Sequence, residues 1–221
     1  NPLRYSIDEW NNRHSVFADD KYSFTRKDER RQFDVAGTAG MLNVFLRNSP
    51  YVGMANYIFP VNGHGLLKTV SNDDAYKSAN YHVFDLYRKY MSGNVLCVDV
   101  KGPGMKDIRL GDLRMDGEHD MDPETLLDLC YIDCAAVAAE DGSLNIALSN
   151  RSYDRPQIVK VGLPEGYSVA EAVGIHSGDV KAANTATSRE VVKPAPVQVK
   201  KNTLTLSPCG MVIVKCRPVQ N

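Results

Sequence analysis

Asp8-Glu9-Trp10-Asn11 places two carboxylates, an indole and an amide at the end of a short apolar run, Leu3 to Ile7. These are the groups a sugar-cleaving site uses. A carboxylate can attack or stabilise an oxocarbenium-like carbon, and a flat ring can line a sugar. Glu9 follows the apolar run, which predicts a place at the carboxyl end of a strand, where α/β barrels keep catalytic groups. The plainer alternative makes Asp8 and Glu9 loop carboxylates that cap the next segment. Successive strand residues face opposite ways, so Asp8 and Glu9 form a poor acid/base pair with each other. A retaining glycosidase needs its two carboxyls about 5–5.5 Å apart, so the partner must come from elsewhere. Trp10, the single tryptophan, is either one wall of a sugar site or core packing at a barrel rim. Asn11 either donates to a sugar hydroxyl or turns the chain. With this motif so close to the first residue, the expectation is half of an active site.

Other chemistries find little support. His14, His64, His82, His119 and His176 are scattered, and no pair has metal-ligand spacing. No metal and no cofactor is expected. Gly102-Pro103-Gly104 lacks a following Lys-Ser/Thr and is not a phosphate loop. No Gly-x-Ser-x-Gly elbow is present, which disfavours a serine hydrolase. Five cysteines, Cys97, Cys130, Cys134, Cys209 and Cys216, form no tight framework and read as buried thiols rather than disulfides or zinc ligands. A net charge of -1 points to neither nucleic acid nor an anionic membrane surface. No apolar run reaches the length of a spanning helix. Composition, 43% hydrophobic and 24% charged, is that of an ordinary globular protein. It does not distinguish a cytoplasmic from a periplasmic or extracellular setting.

The elements that would position the motif change character near Ser92-Gly93-Asn94. Residues 1–92 read as strand, helix, strand, helix, and residues 93–221 as short β-branched runs between turns. The expected fold is thus α/β followed by all-β. In the first part, Thr25 and Asp28 predict a helix from Arg26, with Phe33, Ala36, Gly37, Gly40, Met41, Val44 and Phe45 as its apolar face. Ser49-Pro50 predicts a second helix to about Tyr57. Leu66 to Val70 reads as a strand, and Ser71 to Asp74 as the cap of a long helix reaching about Met91. Two parallel strands make neither a barrel nor a stable domain, so this part resembles the tail of something larger. The second part offers strands at Val95–Val100, Asp128–Ala138, Leu144–Ser149, Gln157–Val161, Val169–Ile175, Val191–Val199, Thr203–Leu206 and Met211–Cys216. Together they suggest a jelly-roll-like sandwich. Lys101 to Asp122 is expected to be a long excursion.

With these residues in view, the chain resembles the family 51 glycoside hydrolases, the α-L-arabinofuranosidases. Asp8-Glu9-Trp10-Asn11 is similar to that family's strand-seven motif. Met54-Ala55-Asn56-Tyr57 with Val61-Asn62 resembles the helical segment before its last barrel strand. Leu144 to Asn150 with Arg151-Ser152, then Gly178-Asp179, Asn184-Thr185 and Leu206-Ser207-Pro208, follow in family order. Where the family usually carries a Gln two residues after the Asn-Tyr pair, this chain has Phe59.

The resemblance implies the end of a (β/α)8 barrel over 1–92 and a C-terminal sandwich over 93–221. It implies a retaining hydrolase that releases terminal arabinofuranose from hemicellulose or pectic side chains, with Glu9 as nucleophile and Trp10 and Asn11 at the substrate. The family's general acid/base glutamate stands in an Asn-Glu dipeptide on strand four, and no Asn-Glu occurs here. The isolated chain is therefore expected to be inactive. Its expected partners are an arabinose-containing polysaccharide or oligosaccharide, and either a missing N-terminal barrel portion or a second copy of itself. The alternative is a non-catalytic carbohydrate-binding or structural β-sandwich module.

Overall fold

The computed structural model describes residues 3–12, 14–18, 21–25, 28–109 and 126–219. The chain begins with β1 (Tyr5–Trp10), a hairpin of β2 (His14–Ala18) and β3 (Lys21–Thr25), and helix α1 (Gln32–Arg47). Next come β4 (Val52–Tyr57), a second hairpin of β5 (Leu67–Ser71) and β6 (Asp74–Lys77), and helix α2 (Ala79–Tyr90). β1 and β4 are parallel neighbours, with Tyr5 opposite Val52, Ile7 opposite Ala55 and Trp10 opposite Tyr57. Among the described residues there is no closed barrel.

Three expectations are corrected here. The helix expected from Arg26 starts at Gln32. Its first N–H donors are taken by distant backbone, Gln32 N to Ala182 O at 2.8 Å and Phe33 N to Val180 O at 3.0 Å. Asp34 adds a local cap by accepting from Arg31 N at 2.8 Å, while these donors inside the helix are met from a distance. The segment expected to be a helix before the last barrel strand, Met54 to Tyr57, is itself strand β4. Parallel pairing with β1 overrides the helix-start signal of Ser49-Pro50. The long helix expected from Ser71 is a hairpin followed by α2, and Ser71-Asn72-Asp73-Asp74 forms its turn rather than a cap.

The second part contains β7 (Asn94–Leu96), β8 (Gly104–Arg109), β9 (Leu126–Cys130), β10 (Ile132–Ala138), β11 (Leu144–Asn150), β12 (Gln157–Lys160), β13 (Tyr167–Ile175), β14 (Pro194–Pro196), β15 (Thr203–Leu206) and β16 (Met211–Pro218). A six-stranded antiparallel sheet runs in the order β14-β13-β16-β11-β10-β7, and β12 pairs with β15 in a separate two-stranded sheet. The strand expected over Asp128–Ala138 is two strands broken at Tyr131, and that over Val191–Val199 shrinks to Pro194–Pro196. The start of the expected excursion forms β8, paired with β9. Residues 110–122 of it lie outside the described residues.

The six-stranded sheet is buried on both faces, with side chains alternating between two cores. Ala135, Val137, Ala147, Met211 and Ile213 pack with Val35, Ala39, Val83, Leu86 and Tyr87 of the two helices. Their neighbours Cys134, Leu148, Val212, Val214 and Cys216 pack with Leu204 and Leu206 of β15. Double burial explains why these strands read as continuous apolar runs. Ala135, Ala147 and Ala39 let α1 lie close to the sheet. The face of α1 differs from the expected one. Met41 and Val44 are exposed, whereas Gln32, Val35, Ala36, Ala39 and Asn43 are buried.

Polar residues on that buried face find partners, as burial requires. Gln32 Nε2 donates to Cys209 O at 3.0 Å, and Asn43 Nδ2 to Asp133 Oδ2 at 2.9 Å. Asp133 Oδ1 also meets Arg47 Nη2 at 3.0 Å and Arg151 Nη2 at 2.6 Å. The Tyr87 hydroxyl donates to Asn43 Oδ1 at 2.6 Å. These bonds tie α1 and α2 to the sheet through Asp133 on β10. Three cysteines, Cys134, Cys209 and Cys216, are buried as expected. Cys97, however, is exposed and Cys130 half-buried: Cys97 follows the edge strand β7, and Cys130 ends β9 in the separate two-stranded sheet with β8.

Candidate active site at the ends of β1 and β4

Glu9 lies near the carboxyl end of β1, with its side chain exposed. β1 takes three steps between Ile7 and Trp10 where β4 takes two between Ala55 and Tyr57. This irregularity breaks the strict alternation expected of Asp8 and Glu9, and both carboxylates are exposed. Asp8 Oδ1 accepts a hydrogen bond from Ser6 Oγ at 2.6 Å. Residues paired across parallel strands share a face. Trp10 and Tyr57 therefore take the helix side, and Glu9 and Asn56 the opposite, solvent side.

Trp10 is only 7% exposed. Its ring meets Phe45 and Tyr57 edge-on, each at 5.1 Å, and stacks on Phe84 at 5.8 Å. It joins β1 to both helices from within the core. Asn11 has both ends of its amide engaged. Nδ2 donates to Ile58 O at 2.8 Å, and Oδ1 accepts from Arg30 Nη2 at 2.7 Å. It thus ties the end of β1 to the end of β4.

Arg30 organises this end of the molecule, and sequence reasoning missed it. Its side chain is 0% exposed and pairs with Asp34 Oδ1 at 3.1 Å. Nε donates to His64 O at 2.8 Å, and Nη2 reaches Asn12 O as well as Asn11. One guanidinium thus holds the segment after β1, the first turn of α1 and the loop after β4. Planar, divergent donors suit Arg to such a junction. Nothing in the sequence distinguishes Arg30 from the other charges of Asp28-Glu29-Arg30-Arg31.

Around this hub the polar groups are tightly packed. The Tyr57 hydroxyl donates to His64 O at 3.3 Å and accepts from Asn80 Nδ2 at 3.4 Å. Burial raises its pKa above the ordinary tyrosine value. Tyr76 donates to Glu29 Oε1 at 2.8 Å. Desolvation, then that carboxylate, pushes its pKa up to about 12. Lys68 Nζ meets Glu29 Oε2 at 3.3 Å. Tyr57 and Tyr76 therefore stay protonated at neutral pH and serve as donors, not bases. Among the described residues, no three His, Cys, Asp or Glu side chains cluster closely enough to hold a metal ion. No described helix is long and apolar enough to cross a membrane.

The site is thus a solvent-facing carboxylate, with an amide on the neighbouring strand, at the carboxyl ends of two parallel strands backed by helices. The family model for the α-L-arabinofuranosidase C-terminal domain matches residues 8–209. The chain belongs to this α-L-arabinofuranosidase C-terminal domain family. Solved structures agree on the fold. The family 51 α-L-arabinofuranosidase AbfB from Bifidobacterium longum superposes with a TM-score of 0.71 at 17% identity, covering 86% of this chain and 35% of that one. An α-L-arabinofuranosidase from Thermotoga maritima, solved as an arabinose complex, gives 0.69 at 22% identity over 96% of this chain and 42% of that one. The family 51 arabinofuranosidase of Xanthomonas axonopodis pv. citri gives 0.68 at 22% identity, covering 86% and 36%. No curated protein sequence matches the chain. This arabinofuranosidase-family chain spans about two-fifths of the length of the solved structures it matches.

Proposed function

We propose that the chain is the C-terminal part of a retaining α-L-arabinofuranosidase-like glycoside hydrolase. In this reading residues 1–92 contribute the last strands of a (β/α)8 barrel and residues 93–221 the sandwich behind them. The observation that carries it is Glu9, exposed at the carboxyl end of a parallel strand whose Trp10 and Asn11 are locked to the neighbouring strand and helices. Glu9 would attack the anomeric carbon and form a glycosyl ester, which water then hydrolyses. Protonation of the leaving oxygen needs a second carboxyl about 5–5.5 Å away, supplied in this reading by a barrel strand outside these residues. Its substrate would be an arabinofuranosyl-bearing oligosaccharide or polysaccharide.

The open flanks of the strand pair support this. Leu3, Tyr5 and Met54 are 97%, 74% and 52% exposed, an apolar margin that further strands, or a second copy of the chain, would cover. A sugar-binding role for the sandwich has less support. A cavity of about 500 Å³ lies between residues 97–103, β10, β11 and β12, lined by aliphatic groups such as Val98, Val100, Ile132 and Val159 with Asp99, Lys101 and Gln157, and with no aromatic ring among the described residues. The sheet serves instead as the wall on which α1 and α2 rest.

An aryl α-L-arabinofuranoside assay tests the proposal. The expected result is no turnover by the 221-residue chain, since general acid catalysis alone is worth ~10²–10⁴-fold. Turnover is expected once the remaining barrel strands are joined to it, and it should be abolished by Glu9→Gln. Activity of the joined protein that survives Glu9→Gln would refute the assignment.

A further inference from the structure

We infer that Asn56 contacts the substrate, its amide hydrogen-bonding one hydroxyl of the sugar that Glu9 attacks, an inference that rests on the reading of Glu9 above. Strand register places the two side by side. Ile7 is paired with Ala55 and Trp10 with Tyr57, so Asp8 and Glu9 on β1 share the single residue Asn56 as their opposite on β4. Such a bulge sets two residues against one and re-aims their side chains, and bulges recur beside active sites. All three side chains are exposed. Asp8 is engaged by Ser6 Oγ at 2.6 Å. The Glu9 carboxylate and the Asn56 amide, in contrast, have no hydrogen-bond or ion-pair partner among the described residues.

The two groups are open, yet the backbone beneath them is locked. Just beyond them Ile58 N donates to Trp10 O at 3.1 Å, and Ile58 O accepts from Asn11 Nδ2 at 2.8 Å. On the opposite face the Trp10 and Tyr57 rings meet edge-on at 5.1 Å. Neighbouring strands lie about 4.8 Å apart, a separation that one sugar ring with its hydroxyls spans. A carboxylate and an amide presented at that fixed spacing are preorganised for a single sugar unit. The chemistry also suits. A nucleophilic carboxylate must stay ionised and unencumbered, and a lysine or arginine at position 56 would pair with it. An amide is neutral and offers two N–H donors and a carbonyl acceptor. It can therefore hold a hydroxyl, which both donates and accepts, without drawing on the charge of Glu9. A group placed to bond a substrate hydroxyl discriminates against the analogue that lacks it.

The isotope-labelled 221-residue chain and its Asn56→Ala and Glu9→Ala variants can be titrated by protein-observed NMR with methyl α-L-arabinofuranoside and with analogues lacking one hydroxyl each. Circular dichroism confirms that each variant folds, and the Asn56 side-chain amide signals are identified by their loss in Asn56→Ala. Those signals are expected to shift as the glycoside is added, and both variants to bind it more weakly, Asn56→Ala by about fivefold. The loss in Asn56→Ala should vanish for one analogue, the one missing the hydroxyl that the amide holds. Asn56 signals that do not move, or an Asn56→Ala affinity equal to wild type, with Glu9→Ala still weakened, overturn the role of Asn56 and leave the Glu9 site standing. An equal loss for every analogue also overturns it. No binding by wild type, or binding indifferent to Glu9→Ala, overturns the Glu9 site and the role of Asn56 with it.

Discussion

Replacing Arg30 by Met removes the guanidinium that joins the ends of β1 and β4 to α1. Met keeps most of the aliphatic volume, so the cost is electrostatic and polar rather than a cavity. Both members of the Arg30–Asp34 pair are buried, at 0% and 3% side-chain exposure. Breaking a buried pair from one side costs about 3–5 kcal/mol, because the remaining charge stays desolvated. The acceptors at His64 O, Asn11 Oδ1 and Asn12 O lose their donor as well, but contributions within one network do not simply add. At roughly 2–4 °C per kcal/mol for a chain of this size, the melting temperature should fall by about 10 °C. The assay is built into the chain. Trp10 is the single tryptophan and adjoins Asn11, so its emission follows the strand end while far-UV circular dichroism follows the whole fold. Trp10 emission is expected to shift before the global transition. Adding Asp34→Asn to Arg30→Met should recover part of the loss. A single variant within about 1 kcal/mol of wild type, or a double variant no more stable than the single, would refute the reasoning.

Asp133→Ala removes the acceptor shared by Asn43, Arg47 and Arg151. It should cost about 3 kcal/mol in denaturant unfolding, with Asn43→Asp at least as damaging because it sets two buried carboxylates together. Burial, then the nearby Lys77 charge, lowers the His82 pKa below 6.5. Its neutral form is therefore favoured on folding, and that stability is complete above pH 6.5. It is lost as pH falls from there through the lower folded-state value. Melts from pH 7.5 to 5 should show this slope, and His82→Gln should flatten it. Burial pushes the Cys134 thiol up to about 12 and those of Cys209 and Cys216 up to about 11. A thiol-exchange reagent should thus label exposed Cys97 in the folded chain and reach those three only after unfolding. Rapid labelling of Cys134 in the native chain would contradict the packing.

Local pattern was legible where local pattern decides. Thr203–Leu206 was read with its observed bounds, and Met211–Cys216 and Leu144–Ser149 nearly so. The Asp-Gly of Glu140-Asp141-Gly142-Ser143 is a hairpin signal, and Gly142, at φ 78°, makes that turn between β10 and β11. The misreadings lie where distant partners intervene. Residues 52–57 follow a helix-like start, yet pair with a strand 47 or 48 residues earlier. α1 takes its first caps from Val180 and Ala182, a contact no window around Gln32 can contain. At the site, the Asp8 to Asn11 motif announced itself by composition. Arg30 did not, because a buried arginine and a solvated one look alike in sequence. The polar face of α1 was missed for the same reason. Gln32 and Asn43 are core residues only because Cys209 O and Asp133 wait opposite them.

The doubly buried sheet makes strand register a matter of volume as well as pairing. Along β16, Met211 and Ile213 fill the helix-side core, while Val212, Val214 and Cys216 fill the other. A single residue inserted before Met211 would keep apolar side chains at the buried positions taken by residues 211–214 and leave the ladder bonds available, although it would carry Lys215 into the place of fully buried Cys216. It would nonetheless send the larger Met and Ile side chains into the core shaped for Val and Cys, overfilling one layer and leaving voids in the other. Since α1 rests on the underfilled layer, the error would travel to the turn that Arg30 holds and so to the strand end bearing Glu9. Over residues 211–214 hydrophobicity alone does not detect such a slip; side-chain size, alternating residue by residue, and the charge of Lys215 at the end of the run keep the two layers from trading places.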